Sequence, residues 1–274
     1  MANLRAMHPD PMPLEQQNLR EIEALNQRGG RTLSIVDLMS AGTVTPEAAA
    51  YALWRVAHGA SFLTGAVPGG AGKTTLLADL LGMLPPGERI VTTPDPSAVR
   101  DALAEPDRRG RCYLCHEIGS GMWYGYLWGK TVAEFFQLGA NGGRLAACLH
   151  ADDPVQMRNI LLTPTLGVSE EAFGRVGLLL FMAFDRGARA TRRVSSLWAA
   201  DGSGRRQLIF EEDRTSGALR RMAANLATGG PGPDAAPKLA ACQAFVLGLA
   251  EGKARLFEEV REATVGFYRR EQTV

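Results

Sequence analysis

The chain has 274 residues, of which 46% are hydrophobic and 22% are charged. It is long enough to bury one large core, which excludes a small domain held together by disulfides. Its 30 basic and 29 acidic residues leave a formal net charge of +1. Since these charges are spread along the chain, composition favours neither nucleic acid nor an anionic membrane as a partner.

The sequence shows no sign of a targeting or membrane-spanning segment. Residues 1–17 contain prolines and charges where a signal peptide needs an apolar stretch. The longest apolar run, residues 176–184, is too short to cross a bilayer. The sequence therefore predicts a cytoplasmic protein without membrane insertion.

The first predicted elements are helices. Residues 14–26 and 33–39 have the apolar spacing of short amphipathic helices. Thr45, Pro46 and Glu47 then supply a cap residue, a proline at the first helical position and an acid in the first turn. This combination predicts the start of a third helix.

From residue 61 onward, short apolar runs alternate with helical patterns. Apolar strands separated by helices indicate a parallel sheet covered on both faces. The predicted strands are 61–66, 89–93, 111–117, 144–150, 177–184, 193–199 and 207–210. The predicted helices between and after the first strands are 74–84, 96–104, 131–138, 154–162 and 170–175.

The strand signal stops after residue 211. Residues 215–228 are predicted to be helical, a glycine- and proline-rich stretch follows at 229–233, and residues 237–271 are predicted to form one long helix or two. The predicted organisation has three parts: a helical extension at 1–31, an α/β domain at 32–213 and a helical appendage at 214–274.

The most specific pattern is a loop of small residues between a predicted strand and a predicted helix. It reads Pro68-Gly69-Gly70-Ala71-Gly72-Lys73-Thr74-Thr75. Backbone N–H groups in such a loop converge on an anion, and the helix N-terminus adds a partial positive charge. Lys73 would reach the β- and γ-phosphates of a nucleotide, and Thr74 would hold Mg²⁺ through its hydroxyl. The pattern predicts a P-loop nucleotide-binding core.

Two observations qualify this loop. Only four of the 30 basic residues are lysines, so Lys73 indicates a need for a compact ammonium group. The usual pattern has glycine or alanine five positions before Gly72, where this chain has Val67. A β-branched residue does not readily take a positive φ, and we therefore predict an altered start of the loop.

The cysteines allow two interpretations. Cys112 and Cys115 have the spacing of metal ligands, and His116 follows them. A second ligand pair is missing, and the segment has the pattern of an apolar strand. Buried strand cysteines are therefore preferred over a zinc site.

Four segments, in the same order along the chain, resemble the type II/IV secretion and pilus-assembly ATPases, particularly their archaeal-flagellum and tight-adherence branches. They are the approach to the core at 32–54, the phosphate loop, residues 84–95, which resemble the "Asp box" strand, and residues 142–152, which resemble the "His box". The resemblance extends over residues 32–212. It implies a RecA-like fold that binds ATP with Mg²⁺, and the preference for adenine rests on it alone.

The same resemblance implies roles for two further side chains. Asp95 matches the carboxylate of the "Asp box", and His150 matches the histidine of the "His box". Without the resemblance, His150 would be interpreted as a histidine bonded to a loop carbonyl. With it, we expect both residues to line the catalytic site, and His150 to sense the γ-phosphate or a neighbouring subunit.

The carboxylate that activates water allows two alignments. Glu117 ends an apolar strand that resembles the family's Walker B strand, and it would orient the attacking water and approach the Mg²⁺ shell. A rival alignment puts Gly125-Tyr126 at this place, which leaves the site without a carboxylate. We prefer Glu117 because a strand directly precedes it. The aromatic segment 120–128 is an insertion, interpreted as a partner-binding loop or as core packing.

Two functions remain open at this point. The first is an ATPase that cleaves the β–γ phosphoanhydride of ATP, and this one is preferred. The second is a catalytically weak adaptor that reads ATP or ADP occupancy for a protein partner, such as a component of secretion or pilus machinery. Since only about 30 residues precede the resemblance, a hexameric ring by the family's usual contacts is not predicted, and other homo-oligomers stay open.

A group of arginines completes the candidates. A trans-acting arginine finger and a solvated face were both considered for them, and the solvated face is preferred. They are Arg186, Arg189, Arg192 and Arg193.

Overall fold

The structure is a computed structural model that describes residues 12–26, 29–186, 190–201, 205–213, 215–224, 226 and 234–271. The strands are β1 (Phe62–Gly65), β2 (Arg89–Thr92), β3 (Arg111–Ile118), β4 (Tyr126–Leu127), β5 (Arg144–Leu149), β6 (Leu178–Asp185), β7 (Thr191–Ala200), β8 (Arg206–Glu212) and β9 (Leu219–Arg221). The helices are α1 (Leu14–Ala24), α2 (Ile35–Ser40), α3 (Pro46–Ala57), α4 (Lys73–Gly82), α5 (Pro96–Ala104), α6 (Thr131–Gln137), α7 (Pro154–Leu161), α8 (Glu170–Gly174), α9 (Ala235–Glu251) and α10 (Phe257–Glu271).

These strands form one sheet in the order β2-β3-β5-β1-β6-β7-β8-β9, with β4 beside β3. The pairs among β1 to β6 are parallel, and β7, β8 and β9 each run antiparallel to the strand before them. The predicted fold class, an α/β core with a mostly parallel sheet, flanking helices and C-terminal helices, is confirmed. Because β1, β3 and β5 are neighbours, the segments that follow them meet at one edge of the sheet.

The sheet separates two hydrophobic cores. Successive strand residues point to opposite faces, so Cys112 and Leu114 pack on the side of α3, α4, α9 and α10. Tyr113 and Cys115 pack on the side of α5 to α8. Cys112 and Cys115 are therefore on opposite faces of one strand and cannot ligate the same zinc ion.

The terminal helices belong to this architecture. Asn18 of α1 donates to the Glu88 carbonyl (2.8 Å) and accepts from the Ile90 N–H (2.9 Å). It thereby covers the free edge of β2. Residues of α1, α9 and α10 share one hydrophobic cluster with the sheet, and the division at residues 31 and 213 stays a prediction. No helix within the described ranges is both long and apolar enough to cross a bilayer.

The prediction of a helix at 215–228 is wrong for those of its residues that the structure describes. The chain instead turns back and forms β9, antiparallel to β8. The Asp213 carboxylate accepts the N–H groups of Thr215 (2.8 Å) and Ser216 (3.0 Å), which fixes a turn at the place where the helix was expected to begin. Residues 225 and 227–228 of the predicted helix lie outside the described residues.

A buried carboxyl group lies on α4. Asp79 is 3% exposed, and its Oδ2 has no hydrogen-bond partner among the described residues. It borders a void of about 10 Å³ together with Phe257 and Arg261 of α10. The described bonds of the Arg261 guanidinium go to Glu15 and to main-chain carbonyls. Burial, followed by the nearby charge of Asp37, raises the pKa of Asp79 well above its ordinary value.

Asp79→Asn should therefore stabilise the protein at alkaline pH. An unfolded aspartate ionises near pH 3.8, whereas the raised pKa of the buried group lets it keep its proton to higher pH, so the stability that Asp79 contributes falls as pH rises above 3.8. We expect the free energy of unfolding in urea to increase by about 1–3 kcal/mol at pH 8, with a smaller gain at pH 5. Asp101→Asn, at an exposed carboxylate of α5, is the control. A gain at Asp79 no larger than at Asp101 would contradict this account.

Candidate functional site

A cleft of about 770 Å³ lies where the segments after β1, β3 and β5 meet. This volume is within the usual range of small-molecule sites. Its lining includes the predicted loop from Gly69 to Thr75, together with Glu117 and His150. The cleft extends away from these groups to residues 22–43 and 190–193. The structure thus brings most of the predicted site residues together, although Pro68 and Asp95 do not line the cleft.

The start of α4 lacks a side-chain cap, as the starts of α1, α6 and α9 also do, and it is set apart by the left-handed glycine that precedes it. Helices α2, α3, α5, α7 and α8 each begin at a Ser, Thr or Asp whose side chain accepts a backbone N–H. Helix α4 begins at Gly72, with φ of 99° and no side-chain cap. The first N–H groups of a helix have no partner within it, so those of α4 remain for an anion in the cleft.

The loop before α4 is held at its start by the segment after β5. The Val67 N–H donates to Asp152 Oδ1 (2.6 Å), and the Val67 carbonyl contacts His150 Nδ1 (2.7 Å). Val67 does not adopt a positive φ. Among the described non-glycine residues, only Asn141 does so. Its N–H is engaged by a carboxylate and is therefore not offered to a ligand.

His150 connects the loop to Glu117. A carbonyl oxygen only accepts, so the short contact with Val67 places a proton on His150 Nδ1. His150 Nε2 lies 3.2 Å from Glu117 Oε1, and this contact requires a second proton, either on the ring or on the carboxyl group. Lys73 Nζ is 3.4 Å from the same Nδ1. Since that nitrogen already carries a proton, Lys73 keeps its donors for another group.

Thr74 and Glu117 converge on one buried thiol. Cys148 Sγ lies 4.0 Å from Glu117 Oε2 and also interacts with the Thr74 side chain. Burial, reinforced by the charge of Glu117, raises the pKa of Cys148 to about 12, so the thiol stays protonated and is not a ligand. The described residues contain no group of three or more His, Cys, Asp or Glu gathered as a metal site. Two oxygen donors, from a hydroxyl and a carboxylate, nevertheless suit Mg²⁺, which keeps several waters.

Asp95 has a structural position. It precedes α5, and its Oδ1 accepts the N–H groups of Ser97 (2.8 Å) and Ala98 (3.0 Å). These bonds hold the pKa of Asp95 below its ordinary value, with the Ser97 hydroxyl as the largest contributor. These bonds show that the Asp95 carboxylate caps the N-terminus of α5. A catalytic role for Asp95 stays a prediction.

The inserted segment returns to the sheet as β4, which sequence reasoning missed. Gly125, at φ of 78°, accepts the His116 N–H (2.9 Å) through its carbonyl. A Cβ at Gly125 would lie 2.5 Å from the His116 ring, so this close approach requires glycine. Tyr126 is then in register with Glu117. The two rival alignment positions are therefore neighbours in space, both line the cleft, and the choice of Glu117 as the catalytic carboxylate stays a prediction.

The rest of the inserted segment is open to solvent. Its exposed fractions are 100% for Met122, 68% for Trp123, 59% for Tyr124 and 46% for Trp128. Core packing does not explain these side chains.

Two of the predicted arginines also contact the cleft. Arg192 and Arg193 line it. The Arg192 Nε–H donates to the Gly70 carbonyl (2.7 Å), and Arg193 pairs with Glu212 (3.4 Å). Arg186 and Arg192 are exposed, as expected for a solvated face. That interpretation did not include the contact of Arg192 with the loop, which arises because β7 runs back beside β6. Arg189 lies outside the described residues.

The solved structures that are similar to this chain include two ATPases. The VirB11 ATPase from the Brucella suis type IV secretion system, crystallised with sulphate, shares 18% identity at a TM-score of 0.41, over 74% of this chain and 60% of that one. The Legionella pneumophila ATPase DotB shares 14% identity at a TM-score of 0.35, over 78% of this chain and 54% of that one. This chain thus spans less than two thirds of either protein. The sequence matches no profile of a known protein family and no curated protein sequence. At this level of similarity, function is inferred from the cleft residues themselves.

Proposed function

We propose that this protein binds a nucleoside triphosphate, ATP by the resemblance of its motifs, and hydrolyses it with Mg²⁺. One observation carries the proposal. Three groups line the same cleft. They are the start of α4, which follows Gly72 and has no side-chain cap, the buried Lys73, and the carboxylate of Glu117 in β3, the strand separated from β1 by β5. This set of groups binds polyphosphate and positions a nucleophilic water.

Each side chain has a distinct role in this scheme. The N–H groups from Gly69 to Thr75 surround the phosphates, and the Lys73 ammonium neutralises the charge that develops on them. Thr74 and Glu117 would hold Mg²⁺, which would offset the negative charge of the phosphates. Glu117 orients the attacking water, and His150 fixes the Glu117 carboxylate through its Nε2 contact.

The direction of the nucleotide follows from the shape of the cleft. The terminal phosphate belongs beside Lys73 and Glu117, since water attacks there. The nucleoside then extends the other way, where Leu33, 39% exposed, lines the remaining space. An exposed apolar side chain suits the face of a base. The N-terminal helices are therefore part of the binding site.

The strand order supports a RecA-like interpretation. β5, which ends before His150, lies between the phosphate-loop strand β1 and the carboxylate strand β3. Relatedness to secretion and pilus-assembly motors, a cytoplasmic location and assembly with a machinery component are parts of this proposal.

The alternative, a catalytically weak adaptor that binds ATP or ADP, is favoured by the exposed side chains of Met122, Trp123, Tyr124 and Trp128. Large exposed apolar groups in one loop are typical of a protein-binding surface. The inserted segment begins three residues after Glu117, so a partner held there would be close to the cleft. Turnover separates the two functions.

Lys73→Ala should weaken the binding of Mg²⁺-ATP by at least about tenfold, because it removes a charge-assisted contact to the phosphates. The measurement is isothermal titration calorimetry with ATP and with ADP. Lys130→Ala is the matched control, since Lys130 lies at the start of α6 and does not line the cleft. Equal affinities of the two variants, or no binding by the unmodified protein, would sink the proposed function.

A further inference from the structure

Arg192 makes two contacts beside the phosphate loop. Its Nε–H donates to the Gly70 carbonyl at 2.7 Å. Its guanidinium lies 4.7 Å above the ring of Phe184, its cross-strand partner in β6. The side chain also passes close to Gly72, because its Cδ is 3.6 Å from the place that a Cβ there would occupy. The side chain is thus held beside the loop by an aromatic ring and by the loop backbone.

The peptide between Gly70 and Ala71, whose carbonyl accepts the bond from Arg192, needs support to keep one orientation. Gly70 has φ of 79° and Gly72 has φ of 99°, and Gly69 precedes them. Glycines resist rotation of a peptide plane less than other residues do. Because a trans peptide is planar, the N–H of Ala71 points opposite to the carbonyl of Gly70. A bond from Arg192 to that carbonyl therefore fixes the direction of the Ala71 N–H, which points away from Arg192.

We propose that Arg192 is a positioning residue that fixes the Gly70–Ala71 peptide for polyphosphate binding. This inference rests on the proposed function and adds a part of the binding apparatus from β7, far along the chain from the loop. Its action is on the loop and not on the nucleoside. Loss of Arg192 should therefore weaken the binding of any polyphosphate, with or without a base.

The test compares Arg192→Ala with Arg186→Ala. Arg186 stacks on the same ring of Phe184 at 5.4 Å, but it does not line the cleft, so its removal changes the net charge equally and leaves the loop contact in place. Affinities for inorganic tripolyphosphate and for ADP are measured by calorimetry. The unfolding temperature is measured without ligand.

We expect Arg192→Ala to bind both probes about tenfold more weakly than the unmodified protein, the effect of one lost bond from a charged donor. Arg186→Ala should bind both normally, and both variants should unfold at the same temperature as the unmodified protein. Unchanged affinity in Arg192→Ala, an equal loss in both variants, a loss for ADP but not for tripolyphosphate, or a lowered unfolding temperature of Arg192→Ala would each overturn the inference. If the unmodified protein binds neither probe, the proposed function itself fails.

Discussion

Glu117→Gln should lower kcat for ATP hydrolysis by about 100-fold or more, while the protein still binds ATP. Glutamine has nearly the same shape as glutamate but cannot accept a proton from water. His150 Nε2, which lies 3.2 Å from the carboxylate, would still have an oxygen to contact. The variant therefore removes the chemistry and keeps the site.

The measurement is phosphate release under saturating Mg²⁺-ATP, with binding followed separately by calorimetry. Asp153→Asn is the matched acid-to-amide control. The Asp153 side chain accepts the Gln156 N–H at the start of α7 (2.8 Å), and asparagine caps a helix equally well. A low rate in the unmodified protein that Glu117→Gln does not change would reject the hydrolase and favour the adaptor.

Arg144→Met should lower the free energy of unfolding by about 3–5 kcal/mol, the usual cost of breaking a buried ion pair. Arg144 starts β5 and is 6% exposed. Its Nη2 donates to Glu88 Oε2 (2.9 Å), and its Nη1 donates to the Val56 carbonyl (2.7 Å). Methionine would leave a buried carboxyl group and a main-chain carbonyl without their donor.

Urea unfolding monitored by circular dichroism gives the free energies. Arg175→Met is the control, because Arg175 pairs with Glu171 on the surface (2.8 Å) and such pairs contribute about 0.5 kcal/mol or less. The double variant Arg144→Met/Glu88→Leu should recover part of the loss, since it removes the uncompensated carboxyl group as well. Losses of similar size at Arg144 and Arg175 would contradict the role given to the buried pair.

Local patterns in the sequence were sufficient for most of the sheet. Strands β1, β2 and β3 lie within about one residue of the predicted ranges, because each is a short apolar run bounded by turn residues. The loop between β1 and α4 was also predictable in its position, since glycines and a lysine at this spacing are typical of a loop between a strand and a helix that binds phosphate. Glu117 was chosen over Tyr126 because a strand precedes it, and that strand is present.

Other features depend on contacts between distant segments. β4 has two residues and exists because β2 ends early and leaves the edge of β3 free. β9 forms because the chain turns at Asp213 and finds an open edge on β8. Asp95 has the sequence context of a site residue, yet its carboxylate is occupied as a helix cap.

The sequence by itself determined which residues could bind phosphate, because that chemistry is encoded within a few consecutive positions. Tertiary structure alone decided that Arg192 lies against the loop and that the N-terminal helices line the far end of the cleft. Arg192 is 122 residues from Gly70 along the chain. The two residues meet only because of the strand order and the register of the hairpin. No local pattern carries such information, since it arises when the sheet forms.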